Sequence, residues 1–274
     1  MNPVLVVHLE GWIDAGLGGS TAMAALLEAG DVVPVAEFDT DELLDMRARR
    51  PTLRIADGVA QGLTWRDIRV LAAEDRAGND ILLLAGAEPD MRWRAFAGDV
   101  VALGRELGVR MMVALGAFPA PAPHTRPVRL AATASDEEMA RRVGFVAGSI
   151  EVPAGISAVL EAEFAAAGVP SIGLWARVPH YVAGLPYPAA ASALVSGLAE
   201  VAGLSLTTTD LDTAADVALR RVDELIANSA EHQSMVRQLE VSVDSTEGNP
   251  LDLGEVPTGD DIAAELERFL RGER

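Results

Sequence analysis

The sequence predicts an α/β fold built on a mainly parallel sheet. Three observations carry this. The chain opens on an aliphatic run, Val4–Leu9, which breaks into Gly11, Gly16, Gly18 and Gly19 and passes at once into helical spacing at Ala22, Met23, Leu26 and Leu27. Short β-branched runs then alternate with longer amphipathic stretches as far as about residue 208, the pattern of strands covered by helices on both faces. Beyond 208 the strand pattern stops and only helical spacing remains.

Taken in order, Val4–Leu9 reads as a fully buried strand, and Ser20 as the cap of a helix that runs to Ala29 and stops at Gly30. Val32–Phe38 reads as a strand that Pro34 places at an edge or a bulge. Thr40–Arg50 is expected as a helix, with Asp41 and Glu42 in its first turn and Arg47, Arg49 and Arg50 in its last. Leu53–Ile55 and Val59–Leu63 flank Asp57-Gly58, a type I′ hairpin signal. Strands follow at Ile68–Ala73 and Ile81–Ala85, then a helix from Asp90 to Leu107 and a strand at Arg110–Leu115. The four prolines of residues 116–127 predict an irregular loop. Val128–Thr133 is a strand, and Ser135 with Glu138 predicts a capping box. A helix at Ile156–Ala167, a strand at Ser171–Val178, a loop at 179–188 and a helix at Ala189–Ala202 complete the alternation. Three helical patterns follow, around Leu211–Ile226, Val236–Val243 and, capped by Thr258, Ile262–Leu270. The organisation expected is a core of residues 1–208, with a hairpin insertion at about 52–73, and an acidic helical subdomain of residues 209–274.

Composition narrows the function. The net charge of −19 argues against a nucleic-acid partner. All 22 basic residues are arginine, so a Walker lysine, a Schiff base and a lysine general base are excluded. The absence of cysteine excludes disulfides, thiolate metal sites and a cysteine nucleophile. No apolar run reaches the roughly 18 residues of a membrane span, and Met1-Asn2 lacks a basic leader, so a cytoplasmic location with no membrane contact is expected. Residues 206–274 carry 16 Asp and Glu against 6 Arg.

In an open parallel sheet the loops at the carboxyl ends of the strands converge where ligands bind. Here they hold Gly11, Trp12, Asp14 and Gly16, then Glu88 and Pro89, then His124, Thr125 and Arg126, and finally His180 and Tyr181. Asp14 and Glu88 supply carboxylates, His124 an imidazole for acid–base work, and Arg126 an anion clamp. Each also has a structural reading. Asp14 caps the following helix, Glu88 pairs with Arg92 or Arg94, His124 and Arg126 bind carbonyls of their own loop, and His180 and Tyr181 pack at a strand end. His8 reads as a satisfied core histidine. G-x-S-x-G, G-x-G-x-x-G and H-E-x-x-H are all absent, and neither a metal nor a cofactor is expected.

Four separated motifs, Gly11-Trp12-x-Asp14-Ala15-Gly16, Gly86-x-Glu88-Pro89-Asp90, Pro123-His124-Thr125-Arg126-Pro127 and Trp175-Ala176-x-Val178-Pro179-His180-Tyr181, resemble the PAC2 family, named for proteasome assembly chaperone 2, and most of all its actinobacterial branch. The stretch Ala264–Arg271 is similar as well. The resemblance implies a three-layer α/β/α sandwich of the purine nucleoside phosphorylase-like type, a hairpin used in oligomerisation, a homotrimer, and a C-terminal all-helical lid over a ligand pocket lined by the motif residues. It implies no catalytic residue. Family members that dock on the proteasome core end in hydrophobic–tyrosine–any, whereas this chain ends Gly272-Glu273-Arg274. Two functions follow as expectations. One is an oligomeric assembly or regulatory factor with a protein partner, which an exposed apolar patch would favour. The other is an enzyme or binder of a nucleoside, amino-acid or peptide-like small molecule, which buried, perturbed carboxylates in a closed cleft would favour.

Overall fold

A computed structural model describes residues 2–11, 13–145 and 148–245. The strands are β1 (Val4–Glu10), β2 (Val33–Glu37), β3 (Thr52–Ala56), β4 (Val59–Thr64), β5 (Ile68–Glu74), β6 (Asp80–Ala87), β7 (Met111–Ala120), β8 (Leu130–Ala134) and β9 (Ser171–Pro179). The helices are α1 (Gly18–Glu28), α2 (Thr40–Leu43), α3 (Trp93–Glu106), α4 (Glu137–Val143), α5 (Ile156–Ala166), α6 (Pro188–Ala202), α7 (Thr209–Ala227) and α8 (Ala230–Ser245). Seven strands form one sheet in the order β2-β5-β6-β1-β7-β9-β8. The central four, β6, β1, β7 and β9, are parallel, with Val4 opposite both Ile81 and Met111 and with Met112 opposite Ser171. β2, β5 and β8 run antiparallel to their neighbours.

Helices cover both faces because the central strands are apolar on both. In β1, Val4 and Val6 pack with Met23 and Leu26 of α1 and Leu194 and Leu198 of α6. Leu5, Val7 and Leu9 turn the other way, to Phe96 and Val100 of α3 and Leu160 and Phe164 of α5. Burying each such side chain contributes about 1.5–3 kcal/mol. The connections after β1 and β6 thus leave for opposite faces, which opens a crevice at the carboxyl edge of the sheet. α7 packs on α6 through Leu211, Ala215 and Val222, and α8 adds the buried Val236.

The hairpin β3–β4 stands apart as its own two-stranded sheet with every residue exposed. Its turn has positive φ at Asp57 (49°) and Gly58 (80°), as a type I′ turn requires.

Several local expectations are corrected. α1 begins at Gly18 and Ser20 lies within its first turn, because the cap is the Asp14 side chain. The helix expected over 40–50 ends at Leu43. Leu43 and Leu44 turn into the core, Leu44 is extended, and the Leu43 carbonyl accepts the N–H groups of Asp90 and Met91. α3 starts at Trp93, not Asp90, because Arg92 adopts a left-handed conformation (φ 57°). β7 continues through Pro119 to Ala120 into the segment expected to be irregular. Past Ala114 it has lost β1 and pairs only with β9, so a residue without an N–H is tolerated on the open side. Asp136, not Ser135, caps α4 by accepting the Met139 N–H, while Ser135 Oγ accepts the Ser171 N–H. The helix expected at Ile262–Leu270 lies outside the described residues.

Candidate functional site

The glycine-rich turn after β1 is packed around a carboxylate of its own. Asp14 accepts the N–H groups of Gly19 (2.7 Å) and Ser20 (2.9 Å) and the Ser20 hydroxyl (2.6 Å). It therefore occupies the anion position at the N-terminus of α1. His8 is buried, as expected. Its Nδ1 faces the Leu115 carbonyl at 3.0 Å and so carries the hydrogen, and its Nε2 lies 3.0 Å from Ser20 Oγ. Gly19 is required here: a Cβ would come within 2.5 Å of the imidazole. Gly16 has φ 63°, donates its N–H to the Ala183 carbonyl and accepts the Tyr187 N–H, both at 2.8 Å, which joins this turn to the loop after β9.

Glu88 follows β6 and is buried. It does not pair with Arg92, which meets Glu42; its Oε1 accepts the Ile156 N–H (2.7 Å) at the start of α5. Its side chain fills the space beside Gly11, where a Cβ would clash with the carboxylate. Pro89 is buried, and its carbonyl accepts the Trp93 indole N–H. Trp12 lies outside the described residues.

His124, Thr125 and Arg126 bind acidic residues of the C-terminal helices, and Arg126 also donates to a carbonyl of its own loop, that of Thr125 (3.3 Å). Tyr181 Oη accepts the His124 backbone N–H (2.8 Å) and pairs with His124 Nδ1 (2.7 Å), while His124 Nε2–H donates to Asp223 of α7 (3.0 Å). The imidazole thus links a phenol to a carboxylate. Burial, followed by the nearby Glu240 and Asp223, raises the Tyr181 pKa against the opposing hydrogen bond from His124. His180 is exposed and lies edge-on to Tyr181, with ring centroids 5.3 Å apart. Thr125 donates to Glu240 of α8, and Arg126 grips Asp244 through two parallel bonds of 2.8 and 2.7 Å. The hydrogen bond from Arg126 holds the Asp244 carboxyl below its ordinary range.

The structure therefore joins Gly11 to Glu88, Gly16 to the loop after β9, and His124 to Tyr181, and gives Asp14, Glu88, His124 and Arg126 separate sets of partners. Asp223, Glu240 and Asp244, which complete these contacts, were not singled out from the sequence; only the acidity of the C-terminal part pointed toward them. A cleft of about 500 Å³ lies elsewhere, lined by Glu37, Phe38, Asp39, Thr40, Asp41 and Trp65. Among the described residues no cluster of three or more acidic, histidine or cysteine side chains is placed to hold a metal, and no helix is long and apolar enough to cross a membrane.

No curated protein matches the sequence. Solved structures do. A Mycobacterium tuberculosis protein of unknown function is 37% identical, with a TM-score of 0.85 over 90% of this chain and 86% of that one. A proteasome-assembly chaperone homologue of the same organism is 35% identical, with a TM-score of 0.79 over 85% and 99% of the two chains. A PAC2 family protein from Streptomyces avermitilis is 34% identical, with a TM-score of 0.75 over 86% and 100%. The PAC2 family model matches residues 8–226, which contain all of the sheet except the start of β1, the hairpin and all four motifs, and the chain belongs to the PAC2 family.

Proposed function

We propose that the chain is a chaperone-like assembly or regulatory factor that works through protein–protein surfaces and self-associates as a homotrimer through its hairpin. The observation that carries this is the hairpin itself. Leu53, Ile55, Val59 and Leu63 are 47%, 61%, 59% and 52% exposed, and Trp65 beyond them is 53% exposed. Leu53 stands opposite Leu63 across the pair. A two-stranded hairpin with its apolar side chains in water is marginal by itself, and such a patch marks an interface. The M. tuberculosis relative described as a proteasome-assembly chaperone homologue supports the kind of task. In this reading the protein is cytoplasmic, and the motif loops at the carboxyl edge of the sheet form a smaller ligand site over which α7 and α8 close. The engagement of His124 and Arg126 by those two helices supports the closure.

The test is removal of residues 54–64. The shortened chain is expected to stay folded and to run as a monomer by light scattering, where the full chain runs as a trimer. A trimer that survives the deletion moves the interface elsewhere, and a full chain that is monomeric at every concentration removes the self-association.

A further inference from the structure

Arg177 stands in the middle of an otherwise apolar strand, SIGLWARVP, and is only 8% exposed. Among the described residues its guanidinium makes no hydrogen bond or ion pair, and its Nε is buried without a partner. A buried cation left in this state is costly unless something compensates it. The neighbour the fold provides has the same sign: the Arg177 N–H donates to the Arg129 carbonyl at 3.1 Å, and the Arg129 charge acts on Arg177. Burial first, and Arg129 second, lower the Arg177 pKa, and no carboxylate among the described residues offsets them. In a chain of net charge −19 with 41 acidic residues, a buried arginine that meets no carboxylate among the described residues is a conspicuous placement.

The surroundings describe the missing group. Arg177 lies near the carboxyl end of β9, at the edge of the sheet where the motif loops gather. By strand alternation Trp175 projects to the same face as Arg177, and Phe118 on β7 is the cross-strand partner of Arg177. Both aromatic side chains are only partly buried. Trp175 is held by its indole N–H to Thr133 Oγ1 and by Gly116, where a Cβ would come within 2.6 Å of the ring. The guanidinium fork is the side chain suited to planar oxyanions.

We infer that Arg177, with Arg129 beside it and Trp175 and Phe118 on its flank, is a binding site for a small oxyanion, a carboxylate or a phosphate, carried on a flat or apolar body. The site does not depend on the hairpin or on the assembly reading, and it stands if that reading fails.

The experiment is thermal unfolding of the full chain titrated with sodium benzoate and, separately, with inorganic phosphate, each against sodium chloride at matched ionic strength. The expected result is a saturable rise in Tm with at least one of them beyond the chloride control. Benzoate alone identifies a carboxylate ligand with an aromatic body, and phosphate alone identifies a phosphate ligand. Arg177→Gln is expected to abolish the rise while leaving the unliganded protein at least as stable as the parent, since it removes an uncompensated buried charge. A purely structural arginine would lose stability instead. Arg129→Gln, which leaves Arg177 in place, is expected to weaken apparent affinity about tenfold and serves if the first variant does not fold. The inference is overturned if neither anion gives a saturable shift, or if the shift persists unchanged in the variants.

Discussion

Asp75 ties the turn between β5 and β6 to the segment leading from α6 into α7, and replacing it with Asn tests that tie. Its Oδ1 accepts the N–H groups of Ala77 and Asn79, both at 2.8 Å. Its Oδ2 accepts the Ser205 N–H and the Asn79 side-chain amide, both at 2.7 Å. Burial works to raise its pKa, but the Asn79 side chain and the three backbone N–H groups outweigh it and hold the carboxyl at about 2, against an ordinary 3.8. A carboxyl whose pKa is depressed by folding stabilises the fold above its unfolded pKa, and the contribution fades as pH falls through the folded value. At roughly 1.4 kcal/mol per unit, the contribution is about 2 kcal/mol at pH 7, and about 1 kcal/mol remains at pH 3. Asp75→Asn keeps the shape, loses the charge and turns an amide group toward donors. Urea unfolding at pH 7 is expected to show a loss of about 2 kcal/mol, shrinking to about 1 kcal/mol at pH 3. A loss under about 0.5 kcal/mol at pH 7, the size of an ordinary surface change, or one that does not vary with pH, would refute the reasoning.

Other perturbations probe the site framework and the core. Asp14→Ala leaves the Gly19 and Ser20 N–H groups uncapped and is expected to cost about 1–2 kcal/mol by chemical denaturation; a neutral result would mean that the α1 terminus is satisfied without it. Arg126→Gln breaks the paired bonds to Asp244, so amide exchange across α8 is expected to accelerate while α6 stays protected; unchanged exchange in α8 would show that Arg126 does not hold it. Phe164→Ala empties a fully buried position packed against Gly104 and is expected to cost about 3–5 kcal/mol in urea; a cost below about 1 kcal/mol would mean that the α3–α5 contact collapses to fill the space.

Much of the architecture was legible because it rests on local rules. A strand buried on both faces must be aliphatic at every position, so Val4–Leu9 and Ile81–Ala85 announced themselves. Asp57-Gly58 named the hairpin because few residue pairs accept two positive φ angles in succession. The errors fell where a distant partner decided the outcome. The pattern at 40–50 reads as helix, but Leu43 and Leu44 are drawn into the core and their segment is held by Asp90. The proline-rich segment reads as loop, but β9 pairs with it as far as Ala120.

The sequence by itself determined the fold class, the hairpin, the family and the stretches that gather at one edge of the sheet, since periodicity, turn chemistry and motif order are carried by neighbouring residues. It offered Asp14, Glu88, His124 and Arg126 as one constellation. Only the tertiary structure decided that each has its own partner. Asp14 caps α1, Glu88 caps α5, His124 links Tyr181 to Asp223, and Arg126 binds Asp244, 118 residues away. It also decided that Arg177, a lone charge in an apolar strand, lies beside Arg129 with no carboxylate partner among the described residues. The reason is physical: a charge is satisfied by whatever lies within about 4 Å of it in space, and distance along the chain does not report that.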